Sequence, residues 1–385
     1  MTASGYGCQT QQYALVYVRD ACMQHARAAP GPEAADYWRA EAELKILVTG
    51  ATGYVGGRLV PVLLERGHDV RTTTSDPDRQ QPWWGAQVKT VVMDALDPDQ
   101  VTAACEGMDA VYYLIHGMSA DDFAETDRKA ATNFAEAART HGVDRIVYLS
   151  GLVPDVADSE LSEHITSRRE VEQILSEVPA TVVVLRAAVI LGSGSTSFEI
   201  IRQVSERLPV HIVPSWMDSM VQPIAVVDVL EALVGALDYA GPSRHFDVGG
   251  TDQLRYGALL EAYTEHAGLE RPQVHVPLLP SALVGTLVGS LTDVPRSTVE
   301  ALVESLHHDM VAADDDFQEM LLPEGHPLVA LDEAFRRALA PRETLPEDSD
   351  PMGPLPQDPA WASGGDDRPA LAKVVDAVKD ILPHS

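Results

Sequence analysis

The fold is decided by one stretch of the sequence, Lys45-Ile-Leu-Val-Thr-Gly-Ala-Thr-Gly-Tyr-Val-Gly-Gly57. Its first half is a continuous apolar run, which is typical of a buried strand in a parallel sheet. Its second half spaces Gly50, Gly53 and Gly56 as G-x-x-G-x-x-G and opens a segment with helical periodicity. In this arrangement the first glycine permits a tight turn, the second lets the backbone approach a pyrophosphate, and the third lets helix and strand pack closely. The start of the helix would then offer unpaired N–H groups to the phosphates.

Strand-like and helical segments alternate after this loop. Further strands are predicted at Asp69–Thr74, Gln87–Met93, Asp109–Ile115, Arg145–Ser150 and Thr181–Ile190. Strands that alternate with helices indicate βαβ units, and therefore an α/β fold with a Rossmann-type, doubly wound parallel sheet.

Four regions are expected along the chain. Residues 1–43 form an N-terminal extension, partly disordered, and residues 44–195 form the dinucleotide-binding domain. Residues 196–340 form a smaller, mixed C-terminal substrate lobe, with some return to the Rossmann sheet. Residues 341–385 are rich in Pro, Asp and Gly, so we predict a mostly disordered acidic tail.

Composition excludes several classes of function. The 385 residues include 58 acidic but only 28 basic side chains, for a formal net charge of −30. Nucleic acid is therefore not an expected partner, because its phosphates must be neutralised by Lys and Arg, and an anionic membrane surface would repel the chain. Three cysteines without CxxC spacing predict neither a disulfide framework nor a metal site.

The expected location follows from two absent signals. The start of the sequence shows no basic segment followed by the apolar core of a signal peptide. Its longest apolar stretch falls short of the roughly 20 clean residues of a membrane-spanning helix. A cytoplasmic protein with a small-molecule substrate is expected, and a homodimer is the expected assembly.

The loop resembles that of the extended and atypical short-chain dehydrogenase/reductase superfamily, in its NmrA-like branch. Several later segments are similar to the same branch: Asp109–Met118, Asp127–Ala138, Arg145–Gly151, Leu185–Ser195 and Gln222–Val229. The similarity extends over about residues 44–340, and the nearest group is that of the YbjT-like NAD(P)-binding proteins. The resemblance implies a Rossmann fold that binds a nicotinamide cofactor.

The resemblance also implies where this cofactor would be bound. The implied contacts lie on the glycine loop and at the ends of the strands: Gly50, Thr52, Gly53, Tyr54, Val55, Gly56, Ser75, Arg79, Asp94, Ala95, Leu114, His116, Ser150 and Arg186. For Asp94, a capping role is an equal alternative.

The end of the second strand bears on the choice between NAD and NADP. NAD-preferring folds place an acidic residue there, whereas NADP-preferring folds place an arginine nearby. Ser75 and Arg79 could bind a 2′-phosphate, but Asp76 could instead hold the ribose hydroxyls. We expect NADP in preference to NAD.

The catalytic residues depart from the pattern of the superfamily. Its members usually combine a Ser or Thr with a Tyr-x-x-x-Lys pair on a helix. Ser150 is present at the end of its strand, but the positions of the pair are occupied by His164 and Arg168. In one interpretation His164 is a substitute general acid, with an unperturbed pKa near ~6.5, and Arg168 holds the ribose or a substrate anion. In the other, both lie on a solvated helix face and no redox chemistry occurs. His116 is a further candidate, because the end of the fourth strand borders the nicotinamide.

Three functions therefore remain open. The first is an NAD(P)-dependent oxidoreductase acting on a small carbonyl or enone, favoured by Ser150 and the substrate lobe. The second is a non-catalytic NAD(P)-binding redox sensor or assembly factor, favoured by the missing Tyr-Lys pair. The third is an epimerase or lyase that uses the nicotinamide transiently.

Overall fold

A computed structural model describes residues 43–117, 122–277, 279–343 and 345–363. The predicted N-terminal extension, apart from Glu43, and the end of the predicted tail lie outside the described residues. Leu44 begins the compact unit to which the rest of the description applies.

The centre of the molecule is a parallel sheet with seven strands in the described part of the chain. They are β1 (Lys45–Val48), β2 (Asp69–Thr74), β3 (Lys89–Val92), β4 (Ala110–Tyr113), β5 (Arg145–Gly151), β6 (Thr181–Ala187) and β11 (Arg244–Val248). Their order in space is β11-β6-β5-β4-β1-β2-β3. The chain runs outward from β1 through β2 to β3 and then returns to β4 on the other side of β1. Doubly wound sheets bind ligands at such a switch point, outside the carboxyl ends of the strands, and the order confirms the predicted Rossmann-type fold.

Helices cover both faces of this sheet. In chain order the α-helices of the described residues are α1 (Tyr54–Glu65), α2 (Pro98–Cys105), α3 (Phe123–His141), α4 (Glu163–Ser176), α5 (Thr196–Arg207), α6 (Val226–Asp238), α7 (Tyr256–His266), α8 (Ser281–Leu291), α9 (Arg296–Ser305), α10 (Asp316–Met320) and α11 (Leu331–Ala338). The apolar sides of α2, α3 and α4 form a core on one face of the sheet. Those of α1 and α6 contribute to a larger core on the other face, which continues into α5 and α7.

The smaller lobe is built from helices and short strand pairs. Its strands are β7 (Ile190–Leu191), β8 (His211–Pro214), β9 (Met220–Val221), β10 (Ile224–Ala225), β12 (Leu254–Arg255) and β13 (Gln273–Val276). They pair as β7 with β10, β9 with β12 and β8 with β13. Between these pairs the chain returns to the central sheet as β11, beside β6. The lobe is therefore tied to the sheet by a strand as well as by packing.

Several predicted strands are longer than the observed ones, as for Asp109–Ile115, where β4 is Ala110–Tyr113, and Thr181–Ile190, where β6 is Thr181–Ala187. The third strand begins at Lys89 and not at Gln87, because Gly85–Gln87 form a 3₁₀ turn. The helix after the glycine loop begins at Tyr54, directly after Gly53, so that its first turn belongs to the loop.

The prediction of a mostly disordered tail is wrong for residues 345–363, which we call the C-terminal strap. Met352 is fully buried and Leu355 is 5% exposed. Asp358 forms a buried ion pair with Arg58 of α1, and Asp350 forms a bidentate pair with Arg337 of α11. Composition predicts solvation for Pro- and Asp-rich segments, but Asp350 and Asp358 are neutralised by arginines, and Met352 and Leu355 are buried.

No helix of the described chain is both long enough and apolar enough to cross a membrane. The described residues also bring no three His, Cys, Asp or Glu side chains together as a metal site would require.

The packing of α6 can be tested at Gly235. A Cβ at this position would lie 1.7 Å from the carbonyl oxygen of Leu321, so the helix approaches the chain after α10 through a glycine. Gly235→Ala is expected to lower the free energy of unfolding by about 3 kcal/mol, because backbone must move to admit the methyl group. Urea unfolding would measure the change. Gly57→Ala, whose Cβ would meet nothing closer than 3.5 Å, is the matched control, and an equal loss in both variants would contradict the packing argument.

Candidate cofactor and active site

The glycine loop is held in a backbone geometry that two of its glycines make possible. Gly50 has φ of +64°, and a Cβ there would lie 2.6 Å from the carbonyl oxygen of Leu114. A Cβ at Gly56 would lie 2.4 Å from the carbonyl oxygen of Gly50. Thr49 stabilises the same turn, because its Oγ1 donates to the Tyr112 carbonyl and accepts from the Leu114 N–H. The ends of β1 and β4 and the start of α1 thus form one close-packed turn.

The N-terminus of α1 is left open to an anion. The helix has no side-chain cap and no acidic residue in its first turn. By contrast, Asp97, Ser162 and Ser195 cap α2, α4 and α5. The first-turn N–H groups of a helix have no acceptor inside the helix, and the dipole makes this end positive. The predicted loop residues Thr52, Tyr54 and Val55 therefore lie where a pyrophosphate is bound in dinucleotide folds.

The end of β2 leaves the predicted 2′-phosphate residues accessible. Ser75 and Arg79 are exposed, and no ion pair of Arg79 occurs among the described residues. The Asp76 carboxylate accepts from the Asp78 N–H at 3.0 Å, and its backbone is bonded to the Thr74 hydroxyl. This geometry is compatible with either nicotinamide cofactor.

At the end of β3, Asp94 has a structural contact but does not cap α2, whose N-cap is Asp97. The Asp94 Oδ1 accepts from the Leu96 N–H at 2.9 Å and so shapes the turn before α2. The Ala95 carbonyl accepts from Asn133 of α3. The Asp94 side chain and the Ala95 carbonyl therefore both have hydrogen-bond partners within the protein.

Arg186, for which a cofactor contact is predicted, forms an ion pair within the protein. Its guanidinium forms a bidentate pair with Glu172 of α4, at 3.0 and 2.8 Å, and each side chain is 13% exposed. A bidentate pair occupies the planar fork of an arginine. Arg186 thus joins β6 to α4.

Three elements bring the candidate catalytic residues together. Arg168 of α4 donates from Nη2 to Nε2 of His116, at 3.1 Å, beyond the end of β4. The Arg168 side chain packs against Gly151 at the end of β5. A Cβ on this glycine would lie 3.5 Å from the Cδ atom of Arg168. One turn earlier, the His164 ring stacks on Phe123, with centroids 4.1 Å apart and planes at 9°. His164 and Arg168 are thus partly buried and in contact with neighbouring elements.

Ser150 is placed beside this cluster with its hydroxyl unused. The residue is 4% exposed and its Oγ has no hydrogen-bond partner. It lies beside the Tyr148 hydroxyl, and that hydroxyl donates to the Arg168 carbonyl at 3.5 Å. Buried hydroxyls are nearly always satisfied, so the Ser150 hydroxyl retains hydrogen-bonding capacity that the described residues do not fully use.

Both histidines are neutral at pH 7. Burial, and then the Arg168 guanidinium, lower the pKa of His164. The same two causes, in the same order, lower the pKa of His116, although part of this residue remains exposed. Because Arg168 donates to Nε2 of a neutral ring, the ring proton of His116 is on Nδ1.

A buried carboxylate holds the cluster in place. Asp127 of α3 accepts from the Gly117 N–H at 2.6 Å and from the Ser167 hydroxyl at 3.4 Å. Burial raises the pKa of this carboxyl. It ties the segment that carries His116 to the helix that carries Arg168. Sequence reasoning missed this role, since Asp127 has no spacing relation to either residue.

A second feature that the sequence did not reveal lies in the smaller lobe. A cavity of about 610 Å³ is lined by residues that include Gln222, Gly250 and His326. The His326 Nε2 is bonded to Oδ1 of Asp228, at 3.0 Å, and Asp228 is 1% exposed. A single loop histidine carries no pattern from which this pair could be predicted.

Comparison with known proteins agrees with this geometry. Residues 50–208 match a family model described as NAD(P)H-binding. The ceramide reductase of Caulobacter vibrioides is 28% identical over 192 residues, which are 49% of this chain and 59% of that protein. A 3-diazoavenalumate denitrifying reductase from a Streptomyces species is 25% identical over 279 residues, 64% of this chain and 88% of that protein. The chain thus spans about six tenths of the length of the first relative.

Two solved structures share the fold. An NADPH-dependent quinone oxidoreductase from Escherichia coli has a TM-score of 0.60 at 18% identity, over 76% of this chain and 98% of that one. UDP-glucose 4-epimerase from Thermotoga maritima has a TM-score of 0.59 at 17% identity, over 77% and 97%. Residues 50–208 therefore form an NAD(P)H-binding domain, and the chain shares its fold with structures of the extended short-chain dehydrogenase/reductase superfamily. The resemblance of the glycine loop is confirmed.

The loop geometry predicts a sharp difference between two neighbouring glycines. Gly56→Ala is expected to weaken binding of NADPH by more than about tenfold, or about 1.4 kcal/mol, because its Cβ would push the helix away from the Gly50 carbonyl. Gly57→Ala, with no contact under 3.5 Å, is expected to bind as the wild type does. Nicotinamide fluorescence would measure both affinities. Similar affinities of the two variants would show that the close approach does not shape the phosphate site.

Proposed function

We propose that this protein is an NAD(P)H-dependent oxidoreductase of the atypical short-chain type, which reduces a small carbonyl or enone. The observation that carries the proposal is the cluster at the carboxyl ends of β4 and β5, where Arg168 contacts His116 beside the unpartnered Ser150 hydroxyl. This cluster lies on the same edge of the sheet as the glycine loop. Reductases among the relatives of the chain support the class of reaction.

The cofactor would be held by the loop and the start of α1. The first-turn N–H groups would bind the pyrophosphate, and the exposed Ser75 and Arg79 would bind the 2′-phosphate of NADPH. When bound, the reduced nicotinamide supplies a hydride to the substrate carbon. Arg168 would hold the nicotinamide ribose, as the lysine at the corresponding helix position does in the superfamily.

The protein groups would act on the substrate oxygen. Ser150 would donate a hydrogen bond from its buried hydroxyl. His116, fixed by Arg168 with its proton on Nδ1, would donate a second one, since a neutral imidazole can polarise a carbonyl. As the carbon gains hydride, the oxygen gains a proton that is drawn from solvent through these donors. His164, stacked on Phe123, would shape the pocket.

A second candidate is a protein that binds NAD(P) without turnover, as a redox sensor or assembly factor. The observation in its favour is that α4 offers no tyrosine hydroxyl, only His164 and Arg168, where the superfamily has its Tyr-Lys pair. A nicotinamide-assisted epimerase or lyase is a third candidate, and it would show no net change in absorbance at 340 nm.

The first experiment is a titration of the purified protein with NADPH and with NADH, followed by nicotinamide fluorescence. Tighter binding of NADPH, abolished by Gly53→Asp, is the expected result. Substrates would then be screened by the decrease in absorbance at 340 nm. Binding without turnover on carbonyls, enones and quinones would favour the sensor, and failure to bind either nucleotide would remove all three candidates.

Alanine substitutions are expected to distinguish the role of His116 from that of His164. His116→Ala is expected to lower kcat by about 100-fold with NADPH affinity retained, because positioned donors contribute about 10²–10⁴ in rate. His164→Ala is expected to cost less than about tenfold, since its ring packs on Phe123. Steady-state kinetics on the best substrate of the screen would decide. The exposed His275 gives a control substitution, and a larger loss in His164→Ala than in His116→Ala would reverse the assignment.

The pH dependence follows from the lowered pKa values. Since both imidazoles stay neutral through the usual range of histidine, kcat/KM is expected to be flat from about pH 6 to 8 and to fall only in more acidic solution. Arg168→Gln removes one cause of the lowered pKa of His116, so the acidic limb should move to higher pH. A wild-type profile with its midpoint at the ordinary histidine pKa would contradict neutral histidines.

A further inference from the structure

Arg58 of α1 connects the C-terminal strap to the phosphate-binding end of the molecule. Its side chain is fully buried. The guanidinium donates to both carboxylate oxygens of Asp358, at 2.7 and 3.0 Å. It also donates to the carbonyls of Pro351 and Gly353 in the strap and to that of Ser193 beside β7. One side chain therefore joins three separate segments of the chain.

The same arginine also holds the first residue of α1. Its guanidinium carbon lies 4.0 Å from the centre of the Tyr54 ring, and Nη1 donates to the Tyr54 carbonyl at 3.3 Å. The hydroxyl end of the Tyr54 ring lies against Gly192, where a Cβ would be 2.2 Å from the hydroxyl oxygen. The position of Tyr54, and with it that of the first helical turn, depends on where Arg58 is held.

Further contacts of the strap lie on the smaller lobe. The Trp361 carbonyl accepts from Gln203, and the Ala362 carbonyl accepts from Arg202, both on α5. The Met352 carbonyl accepts from the Ser193 N–H at 2.8 Å. The strap thus runs from the cofactor helix to the lobe helix α5.

Because the guanidinium of Arg58 is charged and buried, its contacts with the strap are expected to form or break together. A buried guanidinium needs both its counter-charge and its hydrogen bonds, and in this chain the carboxylate and two of the carbonyls come from the strap. If the strap leaves, Arg58 loses them together and must find water, which would displace the Tyr54 ring that it covers. Docking of the strap and the shape of the phosphate turn are therefore coupled.

We propose that Arg58 and Asp358 are positioning residues for the cofactor, and that the docked strap sets the first turn of α1 for the pyrophosphate. The inference rests on the proposed binding of NADPH at the glycine loop. Because coupling between two sites is reciprocal, bound NADPH must in turn hold the strap in place. The strap is then part of the cofactor site although none of its atoms need touch the cofactor.

Two variants of the full chain test the proposal. Asp358→Asn removes the carboxylate that pairs with Arg58. Asp350→Asn is the matched control, because it breaks the pair with Arg337 in the same strap. The expected result is that Asp358→Asn weakens NADPH binding by at least about tenfold, while Asp350→Asn stays within about twofold of the wild type. A lower Tm alone, which both variants can show, is not the readout.

A second readout follows from reciprocity. In the wild type, NADPH should slow proteolysis within residues 345–363, and this protection should be lost in Asp358→Asn. If Asp358→Asn does not fold, the double variant Arg58→Met with Asp358→Leu replaces the pair by apolar side chains, which buried pairs often tolerate. It is expected to fold and still to bind NADPH at least about tenfold more weakly, because Tyr54 is no longer held.

The outcomes separate the two proposals. If the wild type binds NADPH and Asp358→Asn binds it equally well, the positioning role is wrong and the proposed function stands. Tighter binding by Asp358→Asn would also overturn it, since the uncompensated Arg58 would then act simply as a positive charge for the phosphates. If the wild type binds no nicotinamide nucleotide, the proposed function falls and the positioning role falls with it.

Discussion

The structure depends on one close approach, that of Gly56 to the carbonyl oxygen of Gly50, at a distance that admits no Cβ. This contact sets where α1 starts and in which direction it leaves β1. The direction of α1 then determines both of its functions. Its first turn faces the phosphate site without a side-chain cap, while Arg58, one turn later, faces the strap. The same helix thus carries the candidate phosphate site and the attachment point of the C-terminal strap, which brings Asp358, 300 positions away in sequence, to the turn that follows the glycine loop.

The candidate cluster at the ends of β4 and β5 retains the serine of the superfamily pattern but has different groups on the helix beside it. Ser150 keeps its place at the end of β5, but the helix that follows presents a permanently charged arginine and a stacked histidine. Arginine cannot lower the pKa of a neighbouring tyrosine and then share its proton, as a lysine–tyrosine pair does, because it does not titrate. What it can do is fix the tautomer of His116. The chemistry that we propose for this edge is therefore hydrogen-bond donation to a developing oxyanion.

Local patterns account for what the sequence predicted correctly. The apolar run of β1 and the glycine spacing are contiguous, so they predicted the strand, the turn, the helix and the class of sheet. The contact between His116 and Arg168 joins residues 52 positions apart, and no spacing rule places them together. Arg186 was assigned to the cofactor by resemblance, but the identity of Glu172, one turn after Arg168 on α4, decides its partner. The tail was misjudged because composition averages over a segment, whereas its packing depends on individual residues such as Met352 and Asp358.

The return of the chain to the central sheet as β11 has a consequence for how this protein can be divided. β6 is an almost wholly buried strand, and β11 covers its outer edge through a register of five residue pairs. A fragment that ended with the nucleotide-binding segment at residue 195 would lack this neighbour and would present a bare, β-branched edge to other molecules. Such edges recruit further strands, so the fragment would aggregate even though every residue of its glycine loop was present. The part of the chain that includes the smaller lobe thus also protects the edge of β6, so the nucleotide-binding segment and the smaller lobe cannot be separated into independent fragments.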